Sequence, residues 1–191
     1  MLGTDRLCLR EWRDEDLAPF AELNADPQVM EYLPRALTRS ESDELAGQIR
    51  AHHRDHRFGL WAAEEVASGT FIGFVGLSTP QFEAPFMPCV EIGWRLARPF
   101  WGLGYATEAA RAAMRFGFEQ AKLEEIVSFT VPMNRRSRSV MTRLGMQRKP
   151  EDDFEHPDLP VGHRLRAHVL YRTRQSEHPT GLEAEAQSRV P

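Results

Sequence analysis

Apolar and polar residues alternate weakly over Arg6–Trp12, as in a strand, and the acidic run Asp14-Glu15-Asp16 then opens a helical spacing through Leu17, Phe20, Ala21 and Leu23. Thr38-Arg39-Ser40-Glu41 has capping-box spacing, which predicts a second helix reaching to about His56 with Leu45 and Ile49 turned inward. Phe58 to Val66 and Phe71 to Ser78 read as two strands joined by the turn Ala67-Ser68-Gly69-Thr70. Beyond a loop holding Pro80, Pro85 and Pro88, the segment Cys89–Leu96 alternates again. Val90, Ile92, Trp94 and Leu96 occupy one face, and Glu91 and Arg95 the other.

A helix is expected from Gly104 to about Ala121, where Ala106, Ala109, Ala110, Ala113 and Gly117 form a stripe of small residues that lets it lie close to a sheet. Glu125 to Val131 reads as a strand, Asn134 as the cap of a helix ending near Leu144-Gly145, and Arg164 to Thr173 as a last strand. This order predicts one α/β (α+β) domain over residues 1–175, with a disordered polar tail over 176–191.

Composition narrows the class. A chain of 191 residues with 41% hydrophobic residues is large enough to bury a core without metals or disulfides. Cys8 and Cys89 show no paired spacing and read as reduced thiols, which predicts the cytoplasm. Met1–Arg6 lacks the apolar centre of a signal peptide, and the longest apolar run, Phe71–Leu77, is too short for a membrane span. A formal net charge of -4 argues against nucleic-acid binding by the whole surface.

The chemistry concentrates where a strand runs through Trp101-Gly102-Leu103-Gly104-Tyr105-Ala106 directly into a helix. Glycines admit a ligand close to the backbone, free N–H groups and the helix dipole attract phosphate oxygens, and Thr107 adds a hydroxyl. A plain tight turn explains the same spacing. So does part of a dinucleotide fingerprint, with Glu124 some twenty residues on, although Thr107 then stands where the third glycine belongs and the unit follows a hairpin.

Glu-Ile-Gly-Trp-Arg-Leu, Trp-Gly-Leu-Gly-Tyr-Ala-Thr-Glu-Ala and Val-Pro-Met-Asn-Arg-Arg-Ser-Arg-Ser-Val-Met-Thr-Arg-Leu-Gly-Met, in this order, closely resemble the GNAT superfamily of N-acetyltransferases, nearest its RimJ/RimL-like ribosomal-protein-alanine branch. The resemblance covers about residues 5–173. It implies a mixed, mostly antiparallel sheet flanked by helices, with two central strands splayed near Leu96 and Val131. It implies acetyl-CoA as co-substrate, its pyrophosphate held by the backbone around Gly102, Leu103, Gly104, Tyr105, Ala106 and Thr107, where these residues match Q/R-x-x-G-x-G/A except that Trp101 replaces Gln or Arg. Leu96 is implied to lend backbone groups to the pantetheine arm and Asn134 to hydrogen-bond the same molecule; a homodimer is plausible by the same analogy.

Acetyl transfer needs a neutral amine, a route for its proton, donors to the developing oxyanion and a proton for the departing thiolate. Glu91 is the candidate base, its alternative being an ion pair with Arg95. Ser137 is the candidate proton donor to the thiolate, its alternative a hydroxyl internal to a helix. Arg136 and Arg138, within the basic run Arg135–Arg143, are candidate phosphate contacts. His52 and His56 lie four apart, a spacing that can serve a metal, but no third ligand is evident and no metal is predicted. His156, His163 and His168 are read as ordinary loop and strand positions. The acceptor, a small amine or a protein N-terminus, is expected to be chosen by the helices between Leu17 and His56 and by the loops 80–88 and 151–162. The acidic Glu151-Asp152-Asp153 and Glu155 hint at a cationic acceptor. A non-catalytic acetyl-CoA sensor with the same fold is the alternative.

Overall fold

A computed structural model describes residues 1–178. Nine strands, β1 (Leu2–Gly3), β2 (Leu7–Arg10), β3 (Leu60–Glu65), β4 (Thr70–Ser78), β5 (Glu91–Leu96), β6 (Glu125–Thr130), β7 (Gln147–Arg148), β8 (Phe154–Glu155) and β9 (Ala167–Arg174), alternate with four helices. The helices are α1 (Leu17–Ala25), α2 (Arg39–His56), α3 (Tyr105–Glu119) and α4 (Arg135–Arg143). The strands follow the order β1-β2-β3-β4-β5-β6-β9-β7, and β8 also pairs β9. Every junction is antiparallel except β5–β6. This is the mixed, mostly antiparallel sheet expected, and its topology excludes the succession of parallel units that the dinucleotide fingerprint requires.

Local chemistry sets the helix ends. Thr38 and Glu41 form the capping box of α2. Asn134 accepts from the Ser137 amide to start α4, which ends where Gly145 takes φ 79° and the Met146 amide returns to the Met141 carbonyl. The small stripe of α3 does what its spacing predicts: a Cβ on Gly117 would lie 2.8 Å from Ile126 Cδ1 on β6. One core fills the space between the sheet and α3, with Ile72, Leu77, Ile92, Met114 and Ile126 fully buried. A second, around Phe20, Leu23, Ile49 and Phe74, joins the opposite face to α1 and α2.

Several boundaries move inward. The strand expected from Phe58 begins at Leu60, that from Cys89 at Glu91 and that from Arg164 at Ala167. Strands β1, β7 and β8 have two residues each and no periodicity to reveal them. Gln175–Glu177 forms a 3-10 turn and His178 packs on Phe118, so the first residues assigned to the tail are structured; 179–191 lie outside the described residues. Among the described residues no helix is long and apolar enough to cross a membrane.

Candidate active site

The parallel junction is barely a junction. β5 and β6 share the single register pair Glu91↔Val127, with the Val127 amide donating to the Val90 carbonyl at 2.9 Å, and separate beyond it. Peptide groups of a strand alternate sides, so those of Val90, Ile92, Trp94 and Leu96 face β6 while those of Glu91, Gly93 and Arg95 bond β4. Past the bridge, the N–H groups of Trp94 and Leu96 and the Trp94 carbonyl therefore face an open gap. The Leu96 carbonyl is already used, accepting from Trp101 Nε1 at 2.8 Å.

A cleft of about 1480 Å³ passes through this gap. It is lined on one side of the sheet by Ala106, Thr107 and Ala112 of α3, and on the other by Val29, Leu33 and Phe74. One continuous space thus reaches both faces.

At its α3 end the chain builds an anion cradle. Gly102 and Gly104 take φ of 77° and 84°, conformations that L side chains rarely adopt. Gly104 is the N-cap of α3 with no capping side chain, and the first helical bond starts only at the Glu108 amide, so the N–H groups of Tyr105, Ala106 and Thr107 have no helical partner. Trp101 lines the cleft and carries the Arg136 guanidinium 4.3 Å above its ring, and Arg136 also pairs with Glu31 at 3.1 Å. Leu103, between the two glycines, is half-exposed, and its carbonyl accepts from Arg6. Arg6 also pairs with Glu108 at 2.6 Å and covers the Tyr105 ring, which puts a cation beside the cradle that the sequence did not reveal.

Ser137 and Asn134 sit together on the cleft wall. Asn134 Oδ1 accepts from the Ser137 amide at 3.1 Å, and its Nδ2 donates to Thr130 Oγ1 at 3.0 Å and to Ser137 Oγ at 3.1 Å. The amide donors are thereby spent inside the protein, and the Ser137 hydroxyl, already accepting, has its proton free for the cleft. Arg138 does not line the cleft: it donates to the Pro132 carbonyl and to the Tyr171 hydroxyl, which removes it from the candidate phosphate contacts.

Glu91 stands at the bridge end of the gap and lines the cleft. It makes no ion pair among the described residues; the alternative of a bridge to Arg95 is not realised, because Arg95 turns to Asn24, donating to its Oδ1 at 2.6 Å. Desolvation by the surrounding protein pushes the Glu91 carboxyl up to about 8. A carboxylate with that proton affinity matches a base working near neutral pH.

The remaining candidates have structural roles. His52 joins α2 to the sheet, its Nδ1 3.2 Å from the Phe58 carbonyl and its Nε2 accepting from the Thr79 amide at 3.1 Å, so neither nitrogen is free for a metal. Among the described residues no group of three or more His, Cys, Asp or Glu is arranged to hold a metal ion. His163 accepts from the Leu165 amide, while His156 and His168 lie 5.3 Å apart among Phe82, Phe129 and Phe154, where burial pushes both imidazoles down. Of the acidic residues Glu151, Asp152, Asp153 and Glu155, three are paired with neighbours, Asp152 with Arg172, Asp153 with Arg148 and Glu155 with Arg166, which leaves Glu151 as the one of the four without an ion pair among the described residues.

Residues 6–147 match the family described as the acetyltransferase (GNAT) domain. YkkB of Bacillus subtilis, itself uncharacterized, is 34% identical over 146 residues, spanning 76% of this chain and 84% of YkkB. The ribosomal protein uS5-alanine N-acetyltransferase of Escherichia coli is 25% identical over 179 residues, 88% of each chain. A GNAT-family acetyltransferase from Bacillus anthracis shares the fold with a TM-score of 0.76 at 24% identity, over 92% of this chain and 99% of its own.

Proposed function

The chain belongs to the GNAT acetyltransferase family, an acetyl-CoA-dependent acyltransferase by that membership, and from this premise we propose that it acetylates a primary amine by direct attack while both substrates are bound. The observation that carries this reading is the cleft running through the β5–β6 gap, since a co-substrate entering from the α3 face and an acceptor from the α1 face then meet within it. Acetyl-CoA supplies the activated acetyl group as its thioester.

The residues divide the work by position. The N–H groups of Tyr105, Ala106 and Thr107 hold the diphosphate at the positive end of α3, and Gly102 and Gly104 give the turn its shape. Trp101 braces that turn against Leu96 and supports Arg136 beside it. The free groups of Trp94 and the Leu96 amide pair with the amides of the pantetheine arm. Glu91 takes the proton of the acceptor amine, directly or through a water. Ser137, held by Asn134, gives a hydrogen bond or a proton to the departing sulfur. Acceptors of this class are small amines or protein N-termini, and the compartment proposed is the cytoplasm.

The test is release of free coenzyme A from acetyl-CoA against a panel of amines and N-terminal peptides, with acetyl-CoA binding followed by calorimetry. We expect Glu91→Gln to lower kcat by about 10²–10³ and Ser137→Ala by about tenfold, each with acetyl-CoA affinity kept. Binding without acceptor-stimulated release would mark a sensor, and absence of binding would remove the reading altogether.

A further inference from the structure

The acceptor side of the cleft contains a cation with no counter-charge. Arg95 pairs in register with Phe74, so it shares that residue's face of the sheet, toward α1 and away from α3 and the anion cradle. Its guanidinium lies 5.3 Å from the Phe74 ring centre, and its Nη1 donates to Asn24 Oδ1. Asn24 is fully buried and fixed in turn by donating from Nδ2 to Ser42 Oγ of α2 at 2.9 Å. Among the described residues no carboxylate pairs with Arg95, and its other N–H groups have no protein partner, yet they are not among the sealed, unsatisfied atoms of the fold. They are open to the cleft that Arg95 lines. Burial lowers the affinity of this guanidinium for its proton, toward about 10, the direction expected of a cation lacking a counter-ion.

Besides Phe74, against which the guanidinium lies, the cleft lining includes the uncharged Leu60, Val29, Leu33, Tyr32 and Gln28. The carboxylate on the same face of β5 is Glu91, four residues away, about 13 Å between Cα atoms at the usual strand rise. A guanidinium held by an amide and an aromatic ring, with its remaining fork of donors open, is a preformed receptor for a planar anion.

We propose that Arg95 binds a carboxylate of the acceptor, so that the preferred substrates are amines carrying an acidic group several bonds from the nitrogen. This inference rests on the acetyltransferase reading and assigns the substrate class of its acceptor side. Arg95 is then a specificity residue, with Asn24 positioning it.

The probes are ω-amino carboxylates of increasing length and short acidic peptides, each compared with its own carboxamide, using the native chain, Arg95→Gln and Arg95→Lys. Free coenzyme A release gives kcat and KM, and calorimetry gives the acetyl-CoA dissociation constant. For the native chain we expect kcat/KM at least tenfold higher for the carboxylate member of the best pair. In Arg95→Gln that ratio should fall to near one through KM, with acetyl-CoA affinity unchanged, and Arg95→Lys should restore part of it; a purely structural arginine would change both members of a pair alike. Equal turnover of carboxylates and carboxamides by the native chain would overturn the inference and leave the transferase reading standing. Loss of acetyl-CoA affinity in both variants would overturn it by assigning Arg95 to the coenzyme. If acetyl-CoA binds and neither series is turned over while another amine or N-terminal peptide is, the inference falls and the transferase reading stands; if no acceptor of any kind stimulates release, both fall.

Discussion

Glu91 shows how one side chain ties the cleft to the stability of the whole chain. An unperturbed glutamate titrates near about 4.3, whereas burial brings this one to about 8. Between those values the folded state binds more protons than the unfolded state, so the group withdraws stability as pH rises through that window, the reverse of an ion-paired carboxylate. We expect Glu91→Gln to match the native chain in denaturant unfolding at pH 4–5 and to exceed it by about 1–3 kcal/mol at pH 9. The same titration should appear as a rise in native kcat/KM with a midpoint near 8, absent in the variant. Parallel stability curves across pH would show that burial does not hold the proton. The alternation of β5 placed Glu91 on the right face from sequence alone. What the sequence could not supply was its isolation, because the competing partner, Arg95, is taken by Asn24, 71 positions away.

Among the elements, the joint between β2 and the first helical turn is the most closely specified. Arg10, 6% exposed, binds both oxygens of Asp16, 1% exposed, at 2.7 and 2.8 Å, and reaches Glu64 of β3 at 2.7 Å. Asp16 also accepts from the Arg13 amide, closing the turn that leads into α1. Removing Asp16 leaves Arg10 with Glu64 as its remaining counter-charge but strands the two guanidinium donors that Asp16 satisfied, so Asp16→Ala should cost about 2–3 kcal/mol in chemical denaturation. A loss below 1 kcal/mol would show the pair to be solvated. The elements legible in the sequence were those whose ends are local: the Thr38–Glu41 box, the Gly69 turn and the Asn134 cap all operate within three or four residues. Those missed are defined by distant partners. β7 and β8 exist because β9 offers them an edge, and Arg6 reaches the cradle because β2 passes beside the start of α3.

At the scale of the molecule, the sheet is two antiparallel halves, β1–β5 and β6–β9 with its small edge strands, joined by one register pair. The small residues of α3 hold the halves close on one face, while the gap leaves strand-like donors without partners. Amide hydrogen exchange should therefore be faster at Trp94 and Leu96 than at Gly93 and Arg95, whose peptide groups face β4. Saturating acetyl-CoA should slow Trp94 and Leu96 selectively, and equal protection along β5 in the free protein would contradict the open gap. The family motifs pointed to a splay here, but its extent, from one bridge to an open channel, is a property of how the halves twist apart and has no signature in either strand alone.

That each half of the sheet is contiguous in sequence has a consequence of another kind. The chain passes between the halves through α3 and then an exposed turn at Lys122, which takes φ 56°. Cutting there would separate two fragments with matching edges, one ending in α3 and the other beginning with the strand against which α3 packs. A ligand spanning the gap would then act as an adhesive, and reassembly of the fragments would report that ligand's concentration.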